Sequence, residues 1–321
     1  MTRHPFLRVL MGLVLAVAGL AVQAQPRPLE WVVGYAAGGG SDIVARAIAE
    51  TLGKQLGRPI VINNKPGAGT NIAADYVARS KDYGNLVFTA DFATLAANPS
   101  LFSKLSYDAQ KDFQPIGLLV RFPLFLVVHP SVPASGFQEF KAWAQAQKDP
   151  VNWGSPGLGS PHHLVGELFR EKSGLKMQHV AYRGAAPAMA DVLAGQIPAM
   201  WVDSATVLPY LESRKVKLIG VASPRRLALV PQARTFDEQG LKGFEGHAWQ
   251  GLVAPTGTSP EVLATFAKAL QDALASTPVK ARMQALGVEI LPGTPAQMAS
   301  FVRTEREKWG AVIRQVGVSL D

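Results

Sequence analysis

Short apolar runs alternate with stretches of helical periodicity along the first third of the chain. The apolar runs predict strands, and apolar positions that recur every three or four residues, such as Ile43, Ala47 and Ile48, predict helices. The strands predicted in this way cover residues 29–35, 59–63 and 86–89, and the helices cover 43–57 and 70–79. This order is typical of a parallel sheet with crossover helices.

The middle of the chain repeats the alternation with shorter elements. Ser135 and Gln138 have the spacing of a capping box, which predicts that a helix begins there. The predicted strands are 124–128, 152–153, 178–180, 199–202 and 218–221, and the predicted helices are 161–172, 187–194 and 206–213. We interpret this part as a second α/β unit.

Longer helices dominate the C-terminal part. Ser259-Pro260-Glu261 combines a cap, a proline at the first helical position and an acid at the positive end of the helix dipole. Thr294-Pro295-Ala296-Gln297 predicts a capping box. The strands at 251–254 and 289–291 are too few for a third sheet, so we expect this part to return to the first unit. The predicted fold class is therefore α/β, with two domains and a cleft between them. Domain 1 comprises residues 25–125 plus 251–321, and domain 2 comprises residues 126–250.

The N-terminus has the three parts of a secretory signal peptide. Arg3 and Arg8 precede an uncharged apolar run at 9–22, and Val22-Gln23-Ala24 provides the small residues of a cleavage site. The 14 residues of the run would rise about 21 Å as a helix, less than the roughly 30 Å of a bilayer core. We therefore expect export and cleavage after Ala24 rather than a membrane anchor.

The composition of the chain excludes several classes of protein and of functional site. A chain of 321 residues fits two domains, and 17% charged residues is too few for a solvated disordered chain. The absence of cysteine excludes a disulfide framework, a thiolate metal site and a cysteine nucleophile. The basic residues behind the net charge of +8 are scattered along the chain. Their densest cluster is Arg214-Lys215-Val216-Lys217, and it has no interleaved aromatic residues. We therefore predict no nucleic-acid partner.

One pattern, G-x-G-[ST], occurs three times, each time directly before a predicted helix. Glycines allow backbone N–H groups to approach a ligand, the hydroxyl can cap the helix or reach the ligand, and the helix N-terminus favours an anion. The three loops are Gly38-Gly39-Gly40-Ser41, Gly67-Ala68-Gly69-Thr70 and Gly157-Leu158-Gly159-Ser160. Each could also be only a tight turn between a strand and a helix.

The loops do not match the motifs that bind nucleotides. No G-x-x-x-x-G-K-[ST] is present, and G-x-G-x-x-G fails at Ile43, Ile72 and His162. Asp42 in the first loop would repel a polyphosphate. A small carboxylate suits the loops better.

The chain lacks the common hydrolase and metalloprotease motifs G-x-S-x-G and HExxH. The adjacent His162 and His163 point about 100° apart on a helix and cannot chelate one metal like an i, i+4 pair, so we predict no metal site. His162 is expected to point inward, either as a buried hydrogen-bonded side chain or as a contact in a pocket. His163 is expected to be solvated.

A catalytic triad of Ser155 or Ser160 with His162 and Asp203 is not excluded by spacing alone. Asp203 follows a predicted strand, where α/β sheets place ligand groups, but it could equally cap the next helix. Arg183 also follows a strand, and could meet a carboxylate or lie on the surface. A secreted serine hydrolase acting on a small ester is therefore the alternative to a binding protein.

Six segments together resemble one known family. They are Tyr35-Ala36-Ala37-Gly38-Gly39-Gly40-Ser41-Asp42, Asn64-Lys65-Pro66-Gly67-Ala68-Gly69-Thr70-Asn71, Ser155-Pro156-Gly157-Leu158-Gly159-Ser160, Tyr182-Arg183-Gly184, Pro231 to Gly240 with Thr235-Phe236, and Trp249-Gln250-Gly251-Leu252-Val253-Ala254-Pro255. In this order, which spans essentially the whole mature chain, they resemble the tripartite tricarboxylate transporter substrate-binding proteins, also called the Bug family. Gly34-Tyr35 and Trp201-Val202-Asp203 depart from the family's usual Pro-Phe and Met-Phe-Asp, which affects the expected ligand rather than the family.

The resemblance implies a periplasmic solute-binding protein of the type II fold, in which two mainly parallel sheets flanked by helices close on a small organic acid. It implies no enzymatic activity and no cofactor. The ligand-binding residues that it implies are Tyr35, Ala37, Gly38, Gly39, Ser41, Asp42, Gly67, Gly69, Thr70, Asn71, Thr89 and Ala90 from the first domain, and Ser155, Gly159, Ser160, His162, Tyr182 and Asp203 from the second. The expected partners are the membrane subunits of a tripartite tricarboxylate transporter or a sensor kinase. We expect a monomer, since delivery by domain closure needs no more.

Overall fold

Strands and helices alternate through residues 27–320, the part of the chain that the computed structural model describes. The predicted signal peptide and its cleavage site lie outside the described residues. The strands are β1 (Leu29–Val33), β2 (Ile60–Asn64), β3 (Leu86–Asp91), β4 (Phe113–Val128), β5 (Val151–Ser155), β6 (Met177–Ala181), β7 (Ala199–Asp203), β8 (Lys217–Val221), β9 (His247–Pro255) and β10 (Glu289–Ile290). The helices are α1 (Gly40–Leu56), α2 (Asn71–Ala78), α3 (Asn98–Leu101), α4 (Phe137–Gln145), α5 (Pro161–Ser173), α6 (Ala185–Leu193), α7 (Ser204–Glu212), α8 (Pro260–Ala275), α9 (Thr277–Ala285) and α10 (Pro295–Val316).

The strands form one mixed sheet in the order β2-β1-β3-β9-β4-β7-β5-β6, with β8 and β10 paired to β4. In one half, β1 is parallel to β2 and β3, and in the other β5 is parallel to β6 and β7. The strands β4 and β9 are antiparallel to their neighbours. Each half therefore has a parallel group at its outer side, and antiparallel strands join the two groups.

The strand β4 belongs to both halves. Residues 113–123 pair with β9, and residues 124–128 pair with β7 and β8. The two domain boundaries predicted from the sequence, 125/126 and 250/251, fall inside β4 and β9. At the C-terminus, α8 packs against α1, and α10 packs against β4 and the short π-helix Ala93–Ala97. The last helices thus lie with the first half.

Two of the three predicted helix caps are confirmed. The Ser259 side chain accepts a hydrogen bond from the Val262 N–H, and Thr294 and Gln297 form a complete capping box. The capping box predicted at Ser135 is wrong, because the cap residue of α4 is Gly136. Gln239 supplies the missing acceptor from a distant segment, through its Oε1 at 2.7 Å from the Phe137 N–H.

Aromatic side chains fill the core of each half. Trp201, Phe169 and Phe236 pack together in the second half with ring centroids 5.2 to 5.5 Å apart. In the first half, Phe92 contacts the rings of Trp249 and Trp309. None of the helices within residues 27–320 is both long and apolar enough to cross a bilayer.

Candidate functional site

The start of α1 faces the ends of β5 and β7 across a closed cleft. The contact is close, because a Cβ added to Gly40 would lie 2.2 Å from Oδ1 of Asp203. Beside it, the Ala36 N–H donates to the Arg183 carbonyl at 3.2 Å. Each half of the sheet therefore contributes one wall, and the first glycine loop meets the second half directly.

A cavity lies between these walls and is floored by the strands that join the halves. Its lining combines aromatic, small and acidic side chains, and no lysine or arginine is among the described residues that form it. The lining residues are Tyr35, Gly39, Gly40, Ser41, Asp91, Phe122, Pro156, Pro161, His162, Ala185, Asp203, Ala248, Trp249 and Gln250.

The side chain of Asp42 holds the first glycine loop in place. The buried Asp42 carboxylate accepts a hydrogen bond from the Gly38 N–H at 2.9 Å and pairs with Arg46. Burial alone would raise the pKa of Asp42, but the hydrogen bonds from Arg46 and Gly38 lower it below its ordinary value. Ser41 does not cap the helix, and its hydroxyl accepts a hydrogen bond from the Gln250 amide. Asp42 thus stabilises the loop, while Ser41 joins it to β9.

Asp91 and Tyr35 form a buried pair in the cavity wall. The Tyr35 hydroxyl donates to Oδ2 of Asp91 at 2.6 Å, and the Thr94 N–H and hydroxyl donate to Oδ1. Burial raises the pKa of Asp91, against the effect of these donors, and burial together with the Asp91 charge raises the pKa of Tyr35 well above its ordinary value. The sequence prediction omitted Asp91, although its position at the end of a strand is one where α/β sheets place ligand groups.

His162 and Gln250 line the cavity and carry buried polar atoms without a hydrogen-bond partner. Both nitrogens of His162 and Oε1 of Gln250 are buried without a hydrogen-bond partner. Nε2 of His162 lies 3.6 Å from Oδ2 of Asp203, too far for a hydrogen bond. Buried polar atoms are normally satisfied, so these three atoms are candidates to contact a ligand.

Asp203 combines the two roles that its position suggested. Its side chain caps α7 by accepting from the Thr206 N–H at 2.9 Å and from the Thr206 hydroxyl at 3.1 Å. It also lines the cavity opposite Gly40.

The second glycine loop has a strained backbone. Ala68, Gly69 and Thr70 have φ values of 48°, 59° and 75°, a left-handed conformation that is costly for alanine and for the branched threonine. A side chain at Gly69 would meet the Leu158 carbonyl oxygen at 2.7 Å, so the second loop touches the third. These two loops border a separate cavity with Tyr182 and Arg183.

The third glycine loop rests on two histidines. Ser160 caps α5 by accepting from the His163 N–H, and Oγ of Ser155 lies 2.7 Å from Nε2 of His179. The rings of His163 and His179 are stacked at 4.1 Å. The prediction that His163 is solvated is wrong: the side chain is 4% exposed, because β6 places His179 against it. Burial lowers the pKa of His163 to about 4 and that of His179 to about 3.

The residues of the alternative hydrolase do not assemble into a triad. Ser155 is fully buried and bonds to His179 rather than His162. The Ser160 hydroxyl donates to the Gly157 carbonyl, and His162 makes no hydrogen bond with Asp203. The geometry therefore gives no support to a serine nucleophile here.

The predicted site residues fall into three groups. Those that line the cavity are Tyr35, Gly39, Ser41, His162 and Asp203. Those that border the separate cavity between the second and third loops are Gly67, Gly69, Thr70 and Tyr182, together with Tyr35. Outside both linings lie Ala37, Gly38, Asp42, Asn71, Thr89, Ala90, Ser155, Gly159 and Ser160.

Several residues of the third group hold the loops and strands in place. Thr89 accepts a hydrogen bond from the Trp31 indole, and Asn71 accepts one from the Asn98 amide. Lining residues that the sequence prediction omitted are Gly40, Asp91, Phe122, Pro156, Pro161, Ala185, Ala248, Trp249 and Gln250. Phe122 lies within a crossing strand where no local motif marks a functional side chain. Gln250 lies in the segment Trp249 to Pro255, which carries part of the family resemblance but was not assigned a binding role.

Comparison with known proteins extends over nearly the whole chain. Residues 44–318 match the family described as "Tripartite tricarboxylate transporter family receptor". Protein BugT of Bordetella pertussis is 30% identical over 320 residues, which cover 98% of each chain.

Solved structures give the same result. The periplasmic binding protein BugD is 33% identical, with a TM-score of 0.88 over 92% of this chain and 99% of that one. MatC of Rhodopseudomonas palustris, solved with bound malate, is 32% identical, with a TM-score of 0.85 over 90% of this chain and 99% of that one. The fold is thus the α/β periplasmic binding protein fold, and these homologues are solute-binding proteins, not enzymes. The chain belongs to the tripartite tricarboxylate transporter receptors of the Bug family.

Proposed function

We propose that this protein captures a small organic acid in the periplasm and delivers it to the membrane subunits of a tripartite tricarboxylate transporter or to a sensor kinase. The observation that carries the proposal is the cavity between the first glycine loop and the ends of β5 and β7. It contains three buried polar atoms without partners, on His162 and Gln250. A bound acid would accept a hydrogen bond from His162, and a donor group on the same ligand would satisfy Oε1 of Gln250.

The carboxylate group of the ligand binds at the start of α1 in this proposal. Gly39, Gly40 and Ser41 line the cavity there, and the N-terminus of a 17-residue helix favours a negative charge. The malate in the related MatC structure supports a carboxylate as ligand.

The mechanism is closure of two domains on the ligand. The domains are those predicted from the sequence, residues 25–125 with 251–321 and residues 126–250, and they move about the crossing strands β4 and β9. Ligand contacts reach both domains only in the closed state, so binding shifts the balance between open and closed states. No covalent bond is made or broken.

Thermal unfolding against a panel of acids tests the proposal. The protein is first unfolded, dialysed and refolded to remove any co-purified ligand, and then mixed with mono-, di- and tricarboxylates, aromatic acids and amino acids. At about 100 times its dissociation constant, a ligand adds about 2.7 kcal/mol of stability and raises Tm by several degrees. If no acid raises Tm, the proposal is wrong.

Matched histidine variants locate the binding site. His162→Ala is expected to reduce the ligand-induced rise in Tm, because it removes an imidazole from the cavity wall. His129→Ala, in the turn after β4, is expected to keep the full rise. Equal rises in the two variants would exclude the cavity at His162.

A further inference from the structure

A cavity of about 230 Å³ lies beside α10 in the first half of the molecule, away from the cleft. Its walls come from α10, from the short π-helix 93–97 through Leu95, from the start of β4 through Phe113, and from β9 through Val253. None of its lining residues borders either of the cavities described above. All of them belong to predicted domain 1, so this α10 cavity is complete without closure of the cleft.

The wall that α10 contributes changes from apolar to basic along the helix. Met298, Ala299 and Val302 come first, and Arg303 and Arg306 follow on the same face. The lining contains no acidic residue among those that the structure describes. An occupant lying along α10 would therefore meet apolar side chains at one end and two guanidinium groups at the other.

The two arginines lack an acidic partner within residues 27–320, where no carboxylate lies within ion-pair distance of either side chain. Arg306 is half-buried, and its Nε donates a hydrogen bond to the Leu95 carbonyl oxygen at 3.3 Å. Burial lowers the pKa of Arg306 against the effect of the Asp108 charge, and Asp108 itself pairs with Lys111 at 3.2 Å. A partly buried cation without a counter-ion is costly, so an anion bound here would stabilise it.

We propose that the α10 cavity is a second ligand site, which binds an apolar monocarboxylate. The apolar body contacts Met298, Ala299 and Val302, and the carboxylate binds to Arg303 and Arg306, because guanidinium groups match the geometry of a carboxylate. An apolar cavity of about 150 Å³ is large enough for benzene, so the larger volume here admits a phenyl ring with a short chain. This assignment does not depend on the function proposed for the cleft.

Isothermal titration of the refolded protein with 3-phenylpropionate tests the site. The matched probes are 3-phenylpropionamide, which has the same body without the charge, and acetate, which has the charge without the body. We expect 3-phenylpropionate to bind about tenfold more tightly than either probe, or better, because it alone uses both ends of the cavity. Equal binding of either probe, or no binding of 3-phenylpropionate, would overturn the proposal.

An arginine variant links this binding to α10. Arg306→Gln is expected to weaken the binding of 3-phenylpropionate about tenfold, because it removes the half-buried guanidinium group. Arg314→Gln removes the same charge from the exposed last turn of the same helix and should bind as the unmodified protein does. Equal affinities in the two variants would exclude Arg306 from the site.

Ala299→Leu provides a second test if the Arg306 variant does not fold. Leucine favours helices almost as well as alanine, so α10 should be retained while the larger side chain fills the apolar end of the cavity. Ala296→Leu, on the same helix but outside the lining, is the control and should bind normally. Full affinity in Ala299→Leu would place the acid elsewhere, the cleft included, and would overturn the assignment while leaving the proposed function intact.

Discussion

At the scale of single residues, two hydrogen bonds of the third glycine loop depend on the protonation states of His163 and His179. Nδ1 of His163 accepts the Gly159 N–H at 3.2 Å, and Nε2 of His179 lies 2.7 Å from Oγ of Ser155. Protonating Nδ1 would replace an acceptor with a second donor and break the bond to Gly159. The stacked rings therefore favour the neutral state of both imidazoles, in agreement with their lowered pKa values.

Acid should consequently destabilise the protein through His179. Its pKa is about 3 when folded, against an ordinary value of 6.5, so the unfolded state binds the proton more readily. The free energy of unfolding then falls as the pH drops below 6.5 and continues to fall until the folded-state pKa is reached. Between pH 7 and pH 5 this histidine should account for roughly 2 kcal/mol of the loss.

Urea unfolding at pH 7 and pH 5 measures this contribution. His179→Gln should lose roughly 2 kcal/mol less than the unmodified protein over the interval, whatever its stability at pH 7. His129→Gln should lose as much as the unmodified protein. An equal loss in the His179 variant would contradict a neutral buried imidazole.

Residue roles were predictable where the chain marks them locally. Ser259 and Thr294 predict the starts of their helices, because a helix cap is a hydrogen bond to a residue only three positions along the chain. His163 was predicted wrongly because its burial depends on β6, which a helical pattern does not reveal. Asp91 and Gln250 meet in the cavity only through sheet order, which local spacing does not encode.

At the scale of elements, α5 and β5 are packed too closely to accept a side chain at their crossing. A Cβ added to Gly166 would lie 2.2 Å from the indole of the fully buried Trp153. The same indole contacts the His179 ring at a tilt, with ring centroids 4.5 Å apart, so β5, α5 and the third glycine loop share one packed region.

Gly166→Ala should therefore destabilise the protein although alanine favours helices. Overpacking a core typically costs about 1–3 kcal/mol of stability. Replacing glycine by alanine inside a helix gains roughly 1 kcal/mol at most. The cost of the close contact therefore equals or exceeds the gain in helix propensity. Chemical denaturation should show a lower midpoint with little change in slope. Lys172→Ala, on the exposed side of the same helix, should remain within about 0.5 kcal/mol of the unmodified protein. A stabilised Gly166 variant would contradict the close packing.

Most elements were predictable from periodicity, and their pairing was not. The strands at 86–89 and 199–202 were found within two residues of their observed ends, since their apolar runs are bounded by polar residues. The 16 residues of β4 were predicted only from 124 onward, because Pro115, Gly117 and Pro123 interrupt the pattern. Register shifts between Pro115 and Gly117 and between Leu118 and Val120 let the strand accommodate the first two of these residues.

At the scale of the whole molecule, Gly40 lies where the two halves of the sheet are in contact, at the place where the proposed closure would bring them together. It is the first residue of α1, and the residue opposite it, Asp203, is the cap of α7. The contact joins the start of one helix to the start of another across the cleft. Gly40 and Asp203 are close only when the two halves are in contact. A substitution at Gly40 can therefore affect the proposed closure without affecting the folding of either half.

Gly40→Ala should separate closure from folding. The added methyl group would lie 2.2 Å from Oδ1 of Asp203 in the closed state, while alanine at the start of a helix costs nothing when the cleft is open. We expect ligand affinity to fall at least tenfold and the unfolding free energy without ligand to stay within about 0.5 kcal/mol. Small-angle X-ray scattering with ligand should show a larger radius of gyration than that of the unmodified complex.

Gly293→Ala is the matched control, because a methyl group there meets nothing closer than 3.6 Å and the position lies away from the cleft. It should bind ligand and contract normally. If Gly40→Ala binds and contracts as this control does, Asp203 and α1 can separate without loss of the bound state, and the contact seen between them is not a requirement of closure. If Gly40→Ala instead loses affinity and remains expanded, the space at this single glycine limits how far the two halves close on the ligand.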